Sequence, residues 1–165
     1  MPEKKTTERA KRAKREGKSP NTQAGAYVHE EIEHVREGKH GAKSTKQAIA
    51  IGLSKARRDG VKVGTPKKAS ASTRRKAKQD SAKGEQGAAA KKTSATRSRA
   101  TKRALKKAPT RAASSTALSR HAKSAAKKRP AASRSAAAKK AARTKGAAGR
   151  SAAAKKAART RKRAA

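Results

Sequence analysis

The placement of the large apolar side chains limits this fold more than any other feature of the sequence. Tyr27, Val28, Ile32, Val35, Ile49, Ile51, Leu53, Val61 and Val63 all precede residue 66, and only Leu105 and Leu118 follow it. A core of bulky side chains can therefore assemble only in the first part of the chain. Leu, Ile, Val and Phe together number ten among 165 residues. That is roughly 6%, far under the ~20% below which a highly charged chain is expected to stay disordered. Charge divides at the same place. Residues 1–66 hold 16 basic and 8 acidic side chains, whereas residues 67–165 hold 33 basic and 2 acidic ones, within a formal net charge of +39. Too few bulky residues are present to enclose an enzyme's pocket, so no catalysis and no cofactor are expected. No apolar run approaches the ~18 residues of a membrane span. The chain contains no cysteine, so it has no disulfide framework and no thiolate metal site. Met1–Gly17 is charged and no apolar stretch follows it, which is not the pattern of a secretory signal peptide.

Local signals divide the chain into three parts. Residues 1–19 form a charged arm of good helix formers without an apolar face, expected to fray alone. Residues 20–64 form a helical hairpin. Ser19-Pro20-Asn21-Thr22 reads as a helix start, and Val28, Ile32 and Val35 recur at i, i+4 and i+7, with Ala24 and Tyr27 at the edge of that stripe. Gly38 stops this helix. Ser44-Thr45-Lys46-Gln47 matches the reciprocal cap in which Ser covers one free amide and Gln reaches back to another. A second helix then runs to about Arg58, with Ala48, Ile49, Gly52, Leu53 and Ala56 on one face, and Gly60 ends it. Ile51 points away from this face. With so few large side chains the hairpin is expected to be marginal alone, with self-association as one way of firming it up.

Residues 65–165 are rich in Ala, Lys, Arg, Ser and Thr and read as low-complexity. Arg134–Thr144 recurs letter for letter as Arg150–Thr160, a period of 16. The unit carries charge but no bulky side chain for stacking. Although Ala, Lys and Arg favour helix, like charges three or four apart repel. The tail is therefore expected to be disordered when free, with helices forming on an anion within 134–144 and 150–160, and Gly146 and Gly149 acting as joints. The expected fold class is thus mostly disordered, a short all-α N-terminal hairpin followed by a long basic tail.

Such a tail calls for a polyanion. The net +31 of residues 67–165 matches roughly 53 Å of duplex, about 15 base pairs. Fully extended, those residues would reach ~330 Å, enough to bridge several duplexes. The expected contacts are collective. They comprise Lys67, Lys68, Arg74, Arg75 and Lys76; Lys102, Arg103, Lys106 and Lys107; Lys127, Lys128 and Arg129; Lys139, Lys140 and Arg143; and Lys155, Lys156, Arg159, Arg161, Lys162 and Arg163. The tail has neither a rigid element to hold side chains in a groove nor aromatic residues to stack unpaired bases, which favours duplex backbone binding over sequence-specific or stacking-based RNA recognition.

Three motifs in the first region invite sharper readings. His29-Glu30-Glu31-Ile32-Glu33-His34 places its histidines five apart, not the four that a helical zinc motif needs, so no metal is expected and His–Glu pairs on a solvated face are. Gly38-Lys39-His40-Gly41-Ala42-Lys43-Ser44-Thr45 has the wrong spacing for a nucleotide-binding loop. It leaves Lys39, Lys43 and Ser44, with free amides at a helix start, as candidates for one phosphate contact. The cluster Glu30, Glu31, Glu33 and Glu37 reads as a solvated face, or as a face for the basic tail or another copy.

Two resemblances accompany these readings. The tail, with Thr65-Pro66-Lys67-Lys68, Lys107-Ala108-Pro109 and Lys128-Arg129-Pro130, resembles the C-terminal tails of linker histones and the histone-like proteins of bacteria. Thr65–Lys68 fits the Ser/Thr-Pro-Lys-Lys pattern that such tails use for minor-groove contact. The winged-helix domain of a linker histone has no counterpart here. Lys46–Arg58 resembles the Lys-Gln-Ala-Ile-Ala-Ile-Ala-Leu-Ser-x-Ala-Arg signature of small uncharacterised bacterial proteins, a likeness covering about residues 20–60. Gly52 stands where that signature has alanine. These resemblances imply a nucleoid-associated, cytoplasmic, bacterial protein that binds and compacts duplex DNA. The rival expectations are an RNA- or ribosome-associated factor, and a protein-docking hairpin with an accessory tail.

Overall fold

The computed structural model describes residues 2–65, 69–86 and 94–164. Within them the chain forms α1 (Lys4–Arg15), α2 (Pro20–Arg36), α3 (Thr45–Arg58), α4 (Ala71–Glu85), α5 (Ala95–Lys107), a 3-10 turn (Arg111–Ala113), α6 (Ser115–Lys127) and α7 (Ala131–Ala164). No strand occurs among the described residues. The contacts divide the chain into two units, Met1–His121 and Ala122–Ala165.

The helix starts and stops of the hairpin follow from local chemistry. The Ser19 hydroxyl accepts from the Thr22 amide, with Pro20 at the first helical position. The Ser44 hydroxyl accepts from the Gln47 amide at 3.2 Å, while the Gln47 side-chain oxygen takes the Lys43 amide at 2.8 Å. The buried stripe of α2 is turned from the expected one. Ala24, Tyr27, Glu31 and Val35 are buried, whereas Val28 and Ile32 are half-buried. The stripe turns because a carboxylate, Glu31, belongs to the interior face and finds its partner on α3. Gly52 lets the two helices close on each other. A β-carbon there would stand 2.7 Å from the Val28 α-carbon and 3.0 Å from the Tyr27 carbonyl oxygen, so alanine at this position would force the backbones apart.

A mostly disordered, low-complexity chain is not what the structure shows. The described residues are predominantly helical, including those after residue 69. Three physical reasons account for the difference. First, the core is built from alanine. Among the described residues, eight of the twelve buried apolar residues are alanines, which a count of Leu, Ile, Val and Phe passes over. Second, the serines scattered among the lysines are caps. Ser70 accepts from the Thr73 amide, and Ser114 from the Ala117 amide. Third, two segments of the basic stretch dock on the hairpin. α4 packs on α3 through buried Ala77 and Asp80. The stretch 105–113 packs over the loop between α2 and α3, where Ala112 and Ala113 join Val35, Ala42 and Ala48 in one cluster. The N-terminal arm does not fray either. α1 packs on α2 with Thr6 and Ala10 buried. The hairpin thus receives its cover from elsewhere in the same chain.

The second unit holds all of α7, in which the two sequence repeats are separate helical segments. Gly146 breaks the helix at φ 65° and ψ 175°, a backbone conformation open to glycine. Gly149 keeps helical geometry. The Arg150 guanidinium reaches back over the break to the Ala142 carbonyl at 2.8 Å. No described helix is long and apolar enough to cross a membrane.

Candidate nucleic-acid interface

Charge is handled in two ways in this molecule. In the first unit most acidic groups are consumed by internal partners. The Lys55 ammonium sits between the buried carboxylates of Glu30, at 3.1 Å, and Glu31. Burial pushes the Glu30 carboxyl up, but hydrogen bonds from the Thr6 hydroxyl, Lys55 and the Glu3 amide outweigh it and hold the group below the usual carboxylate range. Burial alone would lower Lys55, yet the two carboxylates raise it above the ordinary lysine value. The expected solvated acidic face is therefore overturned for Glu30 and Glu31, and Glu33 pairs with Arg36 at 2.9 Å. Tyr27 is fully buried and donates its hydroxyl to Asp59, so its ring is unavailable for base stacking. Burial and the adjacent carboxylate push its phenol up.

Asp80 is the residue that sequence reasoning passed over. Its carboxylate is 1% exposed and receives the Ser54 hydroxyl at 2.6 Å, Arg58 at 2.9 Å and Lys76 at 3.3 Å. Burial raises its pKa, but the Ser54 hydroxyl and the Arg58 and Lys76 charges together bring it below the ordinary aspartate value. One signal was in view, since Asp80 and Glu85 are the only acids after residue 66.

The loop offered as a phosphate contact is otherwise employed. The Gly41 amide donates to the Leu105 carbonyl at 2.8 Å and the Ala42 amide to the Pro109 carbonyl at 3.0 Å. The Thr45 hydroxyl donates to the Ala112 carbonyl at 2.7 Å, and Ser44 and the Lys43 amide serve the cap. The Lys39 ammonium pairs with Glu37 at 2.9 Å and Glu3 at 3.5 Å. The Lys43 side chain is exposed.

The collective candidates are arranged differently. Arg74, Arg75 and Lys76 on α4, Lys102, Arg103, Lys106 and Lys107 on α5, Lys127 on α6 and Lys128 and Arg129 after it are all exposed. On α7, Lys139, Lys140, Arg143, Lys155, Lys156, Arg159, Arg161 and Lys162 are exposed. Lys67 and Lys68, and with them the Thr-Pro-Lys-Lys motif beyond Thr65, lie outside the described residues, as does the side chain of Arg163. Of the exposed set, Lys76 is tied to Asp80, and Arg129 bonds Ser133 at 2.9 Å. Residues 86–165 contain 26 Lys or Arg and no Asp or Glu, so no carboxylate within this stretch can neutralise them.

Helical geometry turns the repeat into a patterned surface. At 100° per residue, Lys139, Arg143 and Lys140 fall within an arc of about 100°, with Ala137, Ala138, Ala141 and Ala142 on the opposite side. Lys155, Arg159 and Lys156 repeat the arc. Each trio spans about 6 Å of helix axis, a length over which a duplex presents roughly 3.5 phosphate charges. Helix also shortens the reach. The segments before and after Gly146 run about 22 and 27 Å, so the ~330 Å of an extended tail, and bridging argued from it, do not apply.

Fold and surface together define a small, all-helical, strongly basic protein whose carboxylates are gathered in one half. Residues 17–69, about a third of the chain, match the model of a family described as a family of unknown function (DUF6496). The match spans α2, α3 and the turn that follows them. No curated protein matches the chain, and no solved structure does.

Proposed function

We propose that this protein binds duplex nucleic acid, DNA foremost, through phosphate contacts and without sequence preference. The observation that carries this reading is the stretch of 26 basic and no acidic residues after position 85, displayed on helices with its described lysines and arginines exposed almost throughout. A cation without an internal partner gains by displacing the counterions condensed on a phosphate backbone. The cationic arcs of α7 are backed by alanine, whose side chain offers no hydrogen bond to a base edge, an arrangement that suits phosphate contact over base readout. On this reading the packed helices α1–α3 are the folded anchor, and the exposed cations of the later helices meet phosphates. Assembly of several copies on one duplex would coat it and alter access to it, the role suited to a nucleoid-associated protein.

Binding of the full chain to two unrelated duplexes over a salt series tests this. Equal affinities and a steep, linear fall of log K with log salt are expected. A preference for one sequence, or binding indifferent to salt, would overturn the reading. Structured RNA of equal charge serves as competitor, and its displacement of the duplex at lower concentration would turn the assignment to RNA.

A further inference from the structure

The first unit also contains a cluster that no nucleic-acid role requires. Glu31 of α2, its neighbour one turn on, His34, and His40 from the loop bring one ligating atom each to within 4.8 Å of one another. Glu31 is 1% exposed at the side chain, and its two oxygens are divided between the rings. Oε1 lies 3.5 Å from His34 Nδ1, and Oε2 lies 3.4 Å from His40 Nε2. With bonds of ~2.0–2.1 Å, the edge of a tetrahedral zinc site is about 3.4 Å. Each Glu31–histidine pair therefore already stands at ligand-to-ligand separation, and the ligating atoms of all three residues lie within 4.8 Å of one another.

The remaining ring nitrogens are held by oxygens. His34 Nε2 donates to the Glu3 carboxylate at 3.0 Å, and His40 Nδ1 donates to the Gly41 carbonyl at 3.2 Å. Metal-bound histidines are oriented in this manner, the second nitrogen fixed by a carboxylate or carbonyl so that the first offers its lone pair. A neutral ring's lone pair aimed at a carboxylate oxygen is repulsive unless a proton or a metal ion lies between them. Charge in the cluster suits a divalent ion. Glu3, Glu30 and Glu31 face it, against Lys55 from α3 and Lys39, which Glu37 shares. When an ion takes Glu31, Lys55 keeps its bond to Glu30.

We infer that Glu31, His34 and His40 form a binding site for one divalent transition-metal ion of the zinc class, positioned by Glu3 and the Gly41 carbonyl. Two imidazoles and one carboxylate suit zinc and its neighbours in the first transition row, not magnesium or calcium. An ion there would tie the loop to α2 and, through Glu3, the start of the chain to both. The i, i+4 rule missed this site because it compared His34 with His29. The second histidine comes from the loop, six residues on.

Titration of the metal-free full chain with Co2+ alone, followed by displacement with Zn2+, tests the inference. One Co2+ per chain with visible absorption bands of low-symmetry coordination is expected. His34→Ala and His40→Gln should each weaken binding at least tenfold, and Glu3→Gln about 10–100-fold. His29→Ala and His121→Ala, the other two histidines, should leave binding unchanged. Helicity of each variant by circular dichroism separates loss of a ligand from loss of the fold. If His34→Ala does not fold, His40→Gln decides, since that residue lies on a loop. Retention of full affinity by folded His40→Gln, or no spectral change at millimolar Co2+, would overturn the site. Duplex binding does not enter this readout, so the two proposals fail independently.

Discussion

α3 and α7 are made of similar residues and put their charges to opposite uses. α3 carries Lys46, Lys55, Arg57 and Arg58, and the last three bond to groups of the protein itself while Lys46 is exposed. Lys55 joins Glu30 and Glu31, Arg57 bonds the Val63 and Gly64 carbonyls, and Arg58 meets Asp80. α7 carries its lysines and arginines with no carboxylate of its own, and those described are exposed. A few acids decide which helix becomes part of a packed unit and which remains a cationic surface. Helix propensity does not decide it, because both sequences have it.

The comparison breaks most visibly if charge is removed from each side in turn. Lys55→Ala takes the one ammonium from between two buried carboxylates and should cost about 3 kcal/mol of stability, the lower end for a broken buried pair. Urea unfolding of the full chain measures it. Replacing Lys139, Lys140 and Arg143 together by Gln should leave the unfolding free energy within about 0.5 kcal/mol of the parent, as exposed positions do. Equal losses from the two variants would erase the distinction drawn here.

Docking of the basic stretch sharpens it further. Asp80→Asn removes the carboxylate that anchors α4 and should cost about 1.5–3 kcal/mol, the range for hydrogen bonds to a charged group. Gly41→Val tests the other docking point. A β-carbon there would fall 1.7 Å from the Ala108 carbonyl oxygen, and overpacking of that kind costs about 1–3 kcal/mol. Protection of the Gly41 and Ala42 amides from hydrogen exchange should drop in that variant. Unchanged protection would mean that residues 105–113 do not cover the loop.

The sign of the pH dependence follows from the same groups. Glu30 and Asp80 sit below their ordinary values in the folded protein. Their contribution is complete above roughly pH 4 and fades as pH falls through the folded values. Lys55 sits above its ordinary value, so its contribution is complete below about pH 10 and fades as pH rises further. Thermal midpoints should form a plateau between these limits, and Asp80→Asn should flatten the acid limb.

How much of this was legible follows from the kind of interaction involved. The caps at Ser19 and Ser44 and the stops at Gly38 and Gly60 are local, and spacing alone reveals them. The docking of α4 and of residues 105–113 is not local. It rests on alanine contacts, on backbone carbonyls reached by Arg36 and Thr45, and on a single aspartate 22 residues from Arg58. Carbonyls leave no trace in composition, and alanine reads as helix former before it reads as core. The exposed cations were visible one by one, but their grouping into arcs depends on the helix that like-charge repulsion argued against. Gly52 read only as a departure from the signature's alanine, yet a β-carbon there would meet the backbone of Val28 and Tyr27 on α2.

Duplex affinity of the full chain at 50 and 200 mM salt tests the central claim most directly. With six to ten phosphates neutralised, affinity should fall about 10³–10⁵-fold across that interval. Gln in place of Lys139, Lys140 and Arg143 should reduce the salt slope by no more than about 2.7 units. A slope near zero, or a slope carried entirely by the basic residues before residue 66, would contradict the division of labour between packed and displayed charge.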